Sequence, residues 1–148
     1  MEKSPQNQIK FDSAKLISIP GVVTDSGELH FWENETLFPK GICRCFWITK
    51  VTQGAFRGEH AHWEEAQVLV SLAGMELEEV EGINREIQSF QLNSPSQGLF
   101  IPPMNWVKVS FSADAVLLGL SDRSFAEEDY IRDLEEFRSL QLRCHEQF

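Results

Sequence analysis

Residues 54–74 read Gly54-Ala55-Phe56-Arg57-Gly58-Glu59-His60-Ala61-His62-Trp63-Glu64-Glu65-Ala66-Gln67-Val68-Leu69-Val70-Ser71-Leu72-Ala73-Gly74. In an extended chain, successive side chains point to opposite faces, so His60 and His62 project together, with Ala61 between them. In the next run, Gln67, Leu69 and Ser71 share one face while Val68, Val70 and Leu72 take the other. A face carrying two imidazoles, an amide and a hydroxyl describes a polar pocket rather than a dry core. The structural alternative is a pair of exposed strand histidines. A glycine-bracketed arginine before the pair and an apolar strand after it favour the pocket.

Both flanks read as short strands. Upstream, Leu16–Pro20 and Glu28–Glu33 are separated by the turn Thr24-Asp25-Ser26-Gly27, and Ile42–Val51 alternates. Cys43, Cys45, Trp47 and Thr49 fall on one face of that run, with Arg44, Phe46, Ile48 and Lys50 on the other. Glu59–His62 and Ala66–Leu72 come next. Met75–Val80 and Glu86–Leu92 form a hairpin across Glu81-Gly82-Ile83-Asn84. Leu99–Ile101, Asn105–Phe111 and Ala115–Leu120 complete the series. Strands at this spacing predict a β-sandwich or small barrel. The end differs: Ser124-Phe125-Ala126-Glu127 has capping-box spacing. Behind it, Tyr130, Ile131, Leu134, Phe137 and Leu140 recur at helical intervals, and Glu128 stands four residues before Arg132. One amphipathic helix is expected on the outside of the barrel. Residues 1–10 are polar and expected to be loosely attached, leaving 11–148 as a single domain.

Composition bounds the function. The 148 residues carry 13 Lys+Arg against 23 Asp+Glu, a formal net charge of -10. That balance argues against binding a nucleic-acid polymer, which requires a basic patch, but leaves room for one nucleotide in a locally basic pocket. No run approaches the ~20 apolar residues of a membrane span. The N-terminus lacks the apolar core of a signal peptide, so a cytoplasmic location is expected. Cys43, Cys45 and Cys144 make an odd count without disulfide spacing, and Cys43-x-Cys45 reads as small apolar residues in a strand.

The spacing G-x5-H-x-H-x4-Q-x6-G resembles the first cupin motif, which implies an all-β, double-stranded β-helix (jelly-roll) barrel. Most metal-binding cupins have Glu where this chain has Gln67, and a third histidine after a proline-containing turn. Here that region reads Gly98-Leu99-Phe100-Ile101-Pro102-Pro103-Met104-Asn105-Trp106-Val107-Lys108, and the other histidines, His30 and His145, are distant. Two imidazoles and a neutral amide make a poor divalent-metal site, so no metal or other cofactor is expected. Arg57-Gly58-Glu59-His60-Ala61-His62 further resembles the RGxHAH signature of the cupin sugar 3,4-ketoisomerases. So do Gln67–Val70 with Leu72–Gly74, Leu92–Pro95, Gly98–Pro103 with Trp106, and Glu128–Asp133 with Glu136-Phe137. The similarity spans roughly residues 16–140. There are departures: the family's usual tyrosine in the strand Cys45-Phe46-Trp47-Ile48, its histidine after the tryptophan (Val107 here) and its lysine after HAH (Trp63 here).

The resemblance implies a homodimeric enzyme that moves a ketone between C4 and C3 of a dTDP-4-keto-6-deoxyhexose. The reaction is proton abstraction beside a carbonyl, an enediol intermediate and reprotonation at the neighbouring carbon. A neutral imidazole, with an ordinary pKa near 6.5, suits it. His60 and His62 are the expected catalytic pair, one serving the carbon proton and the other the oxygens. The sequence does not order them, although His62 is preferred as the base. Arg57, and secondarily Arg44, are candidates for the diphosphate. Gln67 would orient a histidine or a substrate oxygen, and Trp106 would stack on thymine or sugar. Each has a structural alternative: Arg57 paired with Glu59 or Glu64, Gln67 satisfying strand backbone, Trp106 plugging the barrel. Trp32 and Trp47 are read as core or interface and Lys108 as a solvated strand residue. Two other function classes remain open, a non-catalytic nucleotide-sugar-binding cupin and a metal-dependent cupin enzyme.

Overall fold

The structure, a computed structural model, describes residues 11–146; the polar segment 1–10 lies outside the described residues. The strands are β1 (Lys15–Ser18), β2 (Gly21–Thr24), β3 (Gly27–His30), β4 (Arg44–Thr49), β5 (Arg57–His62) and β6 (Gln67–Ala73). They continue with β7 (Glu76–Gly82), β8 (Ile87–Leu92), β9 (Gln97–Ile101), β10 (Asn105–Phe111), β11 (Val116–Ser121) and β12 (Tyr130–Ile131), before the helix α1 (Leu134–Glu146). Two five-stranded antiparallel sheets, β1-β9-β6-β11-β4 and β12-β5-β10-β7-β8, face each other. The hairpin β2-β3 stands apart from both. This is the all-β jelly roll with one C-terminal helix that the strand pattern and the motif imply.

Alternation places the core. Leu69, Leu99, Ile101 and Leu117 from the first sheet meet Val80, Leu92, Val107 and Val109 from the second. Val68, Val70, Phe100 and Leu120 point out the back of the first sheet and are covered by Phe38 and Trp32, whose rings stand 5.3 Å apart. A third cluster, Ala61, Ile83, Met104, Trp106, Ile131 and Phe137, lies where α1 packs on the second sheet. Side chains such as the fully buried Phe137 stabilise such a cluster by roughly 1.5–3 kcal/mol each.

The C-terminal segment departs from the sequence reading. The Ser124–Glu127 capping box does not form: Ala126 precedes a single 3-10 turn, Glu127–Asp129, with no side-chain cap. Tyr130 and Ile131 are extended and pair with His62 and Ala61. Arg132 bonds Glu127, at 2.6 and 2.9 Å, instead of Glu128. The helix begins at Leu134, four residues after Tyr130, where the helical intervals start, and ten after the expected cap Ser124. Its start is capped by Asp133, whose Oδ1 accepts the N–H groups of Glu135 (2.8 Å) and Glu136 (3.2 Å), satisfying donors the helix itself cannot.

Candidate active site

Between the sheets lies a cavity enclosing about 680 Å³ of atom-free space, its mouth included. Its floor is apolar: Phe46, Ile48, Leu69, Val109 and Leu117. Its polar wall is Arg44, Arg57, His60, His62, Glu65, Gln67, Asn105 and Tyr130.

A bulge in β5 builds the wall. Strand β10 pairs with Arg57, Gly58 and His60 across a register shift at Val107/Lys108, leaving Glu59 unpaired. Gly58 and Glu59 both adopt positive φ, +83° and 55°. A Cβ on Gly58 would stand 2.7 Å from the Val107 carbonyl oxygen, so only glycine fits. Strict alternation would turn Arg57 away from the histidines. One inserted residue re-phases the strand, and Arg57 lines the same cavity as His60 and His62.

The two imidazoles stand 5.0 Å apart, nearly perpendicular at 83°. His60 Nδ1 lies 2.9 Å from the Gly58 carbonyl oxygen, which can only accept; Nδ1 therefore carries the proton and Nε2 the lone pair. Burial, then the neighbouring His62, lowers the His60 pKa to about 4, so the ring is neutral at neutral pH. His62 Nδ1 lies 3.2 Å from Asp129 Oδ2. Burial lowers its pKa too, although Asp129 opposes that.

Three residues not singled out from the sequence complete the site. Asp129 accepts His62 and the backbone N–H groups of Glu64 (2.9 Å) and Glu65 (3.1 Å), locking the β5–β6 connection. Tyr130, carried by β12, sets its ring 4.9 Å from His60 and 4.3 Å from His62. Glu65 is buried at the cavity wall, and both its oxygens accept from Arg44 Nη2, at 3.0 and 3.1 Å. The signals for Asp129 and Tyr130 lay in Glu128–Asp133, which the helical spacing obscured.

A family model, FdtA: WxcM-like, C-terminal, matches residues 12–141. The chain belongs to this family. A curated relative, TDP-4-oxo-6-deoxy-alpha-D-glucose-3,4-oxoisomerase from Aneurinibacillus thermoaerophilus, is 32% identical over 125 residues, covering 84% of this chain and 89% of the relative. The crystal structure of a 3,4-ketoisomerase from Helicobacter canadensis superposes with a TM-score of 0.80 at 32% identity, over 87% of this chain and 97% of that one. A histidine-to-asparagine mutant of QdtA from Thermoanaerobacterium thermosaccharolyticum, solved with TDP-4-keto-6-deoxyglucose, superposes at 0.81 and 30% identity, over 88% and 95%.

Within this FdtA-type framework, the structure brings five of the six expected residues to the cavity: His60, His62, Arg57, Gln67 and Arg44. Trp106 is the correction. Along β10, Asn105, Val107 and Val109 face the cavity, so Trp106 faces the other way and packs on Phe137 of α1, ring centroids 6.0 Å apart. It cannot stack on a ligand in the cavity from there. Arg44 lines the cavity but is committed to Glu65, with Phe46 and Phe125 at 5.4 and 5.6 Å from its guanidinium carbon. Arg57 makes no ion pair with Glu59 or Glu64; Glu64 is held by Arg123 at 2.6 Å. Gln67 donates to Glu65 and stands 3.5 Å from His62 Nε2. Trp47, read as core or interface, is strongly exposed. At the family departures, Phe46 and Val107 present apolar walls. Among the described residues, no three His, Cys, Asp or Glu side chains converge as a metal-ligand set, and no helix is long and apolar enough to cross a membrane.

Proposed function

We propose that this chain is a sugar-nucleotide 3,4-ketoisomerase acting on a dTDP-4-keto-6-deoxyhexose. The observation that carries this reading is the unequal histidine pair. His60 is neutral, fixed through Nδ1 to a backbone carbonyl, and has its lone pair free at Nε2. His62 is tied to a carboxylate and flanked by Tyr130. In this assignment His60 Nε2 takes the proton from C3, reversing the preference for His62 as base. His62 with Tyr130 delivers a proton to O4 and accepts one from O3. Reprotonation of the enediol at C4 balances the step: C3 and O3 each lose a proton, and C4 and O4 each gain one. Arg57, at the cavity wall with no carboxylate partner among the described residues, is assigned the diphosphate.

Of the relatives named above, the Aneurinibacillus thermoaerophilus enzyme is named for TDP-4-oxo-6-deoxyglucose and the QdtA mutant was solved with TDP-4-keto-6-deoxyglucose, which makes that compound the probe. Incubation in D2O followed by proton NMR is expected to show loss of the H3 signal and growth of a 3-keto product. Saturable dTDP binding with no spectral change would instead identify a non-catalytic nucleotide-sugar binder, for which the apolar Phe46 and Val107 speak. Stoichiometric Fe, Mn or Zn in the purified protein would favour a metal-dependent enzyme.

The same reading includes a homodimer. Val22, Val23 and Leu29 on the free-standing β2-β3 hairpin and Trp47 on the edge strand β4 are strongly exposed apolar side chains, which a second copy would cover. Sedimentation at micromolar concentration is expected to give a mass near twice 17.0 kDa.

A further inference from the structure

Glu65 has no role in the scheme above, yet it occupies the centre of the polar wall. Its side chain is only 2% exposed, and one of its oxygens lies 3.3 Å from His62 Nε2. Asp129 stands 3.2 Å from the opposite nitrogen of the same ring. A neutral imidazole has one N–H and can donate to one of these carboxylates; only an imidazolium can donate to both. A charged carboxylate beside Nε2 therefore favours whichever state carries a proton there. Arg44 holds both Glu65 oxygens, and Gln67 donates to one of them. These partners, a guanidinium and an amide nitrogen, can only donate, and they fix the carboxylate with one oxygen against the ring.

We propose that Glu65 is a positioning residue that, held by Arg44 and Gln67, stabilises a proton on His62 Nε2 and so sets His62 as the proton carrier beside the neutral His60. The clamp rests on the ketoisomerase reading for its consequence in turnover, but not for its effect on the ring. The charged and titratable groups facing His62 are His60 from its own strand, Asp129 and Tyr130 from the segment paired with it, Arg44 from β4, Arg132 beyond Tyr130, and Glu65. Burial first, and then Arg44 and Arg132, oppose a proton on the ring; Glu65 touches both Arg44 (3.0 Å) and the ring (3.3 Å).

The test is a histidine NMR titration of the unliganded protein, comparing the wild type with Glu65→Gln. Glutamine keeps the shape and loses the charge. The His62 midpoint is expected to fall by about one pH unit or more. With dTDP-4-keto-6-deoxyglucose, kcat is expected to fall about tenfold or more, with KM within threefold. Glu65→Asp, which keeps the charge and draws it back by one methylene, is expected to place the midpoint between the two; it also carries the test if Glu65→Gln does not fold. An unmoved His62 midpoint in the charge-free variant, or in Glu65→Asp where that must stand in, overturns the proposal. So does a kcat equal to wild type. If the wild type itself does not turn over the sugar, the ketoisomerase reading fails while the titration still decides the role of Glu65.

Discussion

Asp129 Oδ2 sits 3.2 Å from His62 Nδ1 and also accepts the Glu65 backbone N–H at 3.1 Å. One carboxylate thus orients the imidazole and closes the turn that carries Glu65. Asp129→Asn removes the charge and turns one acceptor oxygen into an amide donor. The expected result is a loss of about a hundredfold in kcat, with stability lower by about 1–3 kcal/mol for the buried N–H left unpaired. Steady-state kinetics and thermal unfolding of the variant check both.

Trp106 separates structural from catalytic roles. Its ring packs on Phe137 beneath α1. Trp106→Ala is expected to cost about 3–5 kcal/mol of stability, while Trp106→Phe, which keeps an aromatic contact, is expected to leave KM unchanged. A raised KM for Trp106→Phe in a fully folded protein would return the residue to the binding site.

The histidines make stability depend on acid. The folded-state pKa of His60, about 4, lies below its ordinary 6.5. Between those values the unfolded chain binds a proton that the folded chain refuses. The stability associated with this group is complete above pH 6.5 and is lost as pH falls towards 4. His60→Gln is expected to flatten the dependence of the unfolding midpoint on pH across that window, measured in denaturant at fixed temperature.

Glu76 and Glu78 act in the opposite direction. Both are fully buried on the inward face of β7, and none of their four carboxylate oxygens finds a hydrogen-bond partner among the described residues. Burial raises Glu76 to about 7; burial and then Glu76 raise Glu78 to about 8. Each folded-state value lies above the ordinary 4.5, so the folded chain holds protons that the unfolded chain releases. Their contribution is complete below pH 4.5 and is lost as pH rises through 7 to 8. The double variant Glu76→Gln/Glu78→Gln is expected to unfold at a higher temperature than wild type at pH 9 and to lose the alkaline decline. A decline that persists unchanged in the double variant would contradict this account.

Much of the barrel was legible because period-two alternation is a direct consequence of strand geometry. Phe46 and Ile48 facing inward from β4, and the joint projection of His60 and His62, follow from it. Trp106 was legible by the same rule: Val107 and Val109 mark the inward face of β10, and Trp106 has the other parity. The segment 124–133 was not. Its helical spacing is real but local, and it competes with hydrogen bonds the segment makes only in the fold. Strand β5 has a free edge beside His62, and pairing Tyr130 and Ile131 there satisfies backbone groups that would otherwise be buried unpaired. Asp129 and Tyr130 could be placed only once that pairing was known. Arg57 entered the cavity through the Gly58-Glu59 bulge, whose extra residue interrupts the alternation.

The division of labour between the two imidazoles is tested most directly by solvent exchange at the sugar carbons. With dTDP-4-keto-6-deoxyglucose in D2O, His60→Asn is expected to abolish the loss of H3, since no neutral base remains at that carbon. His62→Asn is expected to leave H3 exchange detectable while product formation falls about a hundredfold or more. Wild-type rates of H3 exchange in His60→Asn would contradict the assignment of His60 as the base.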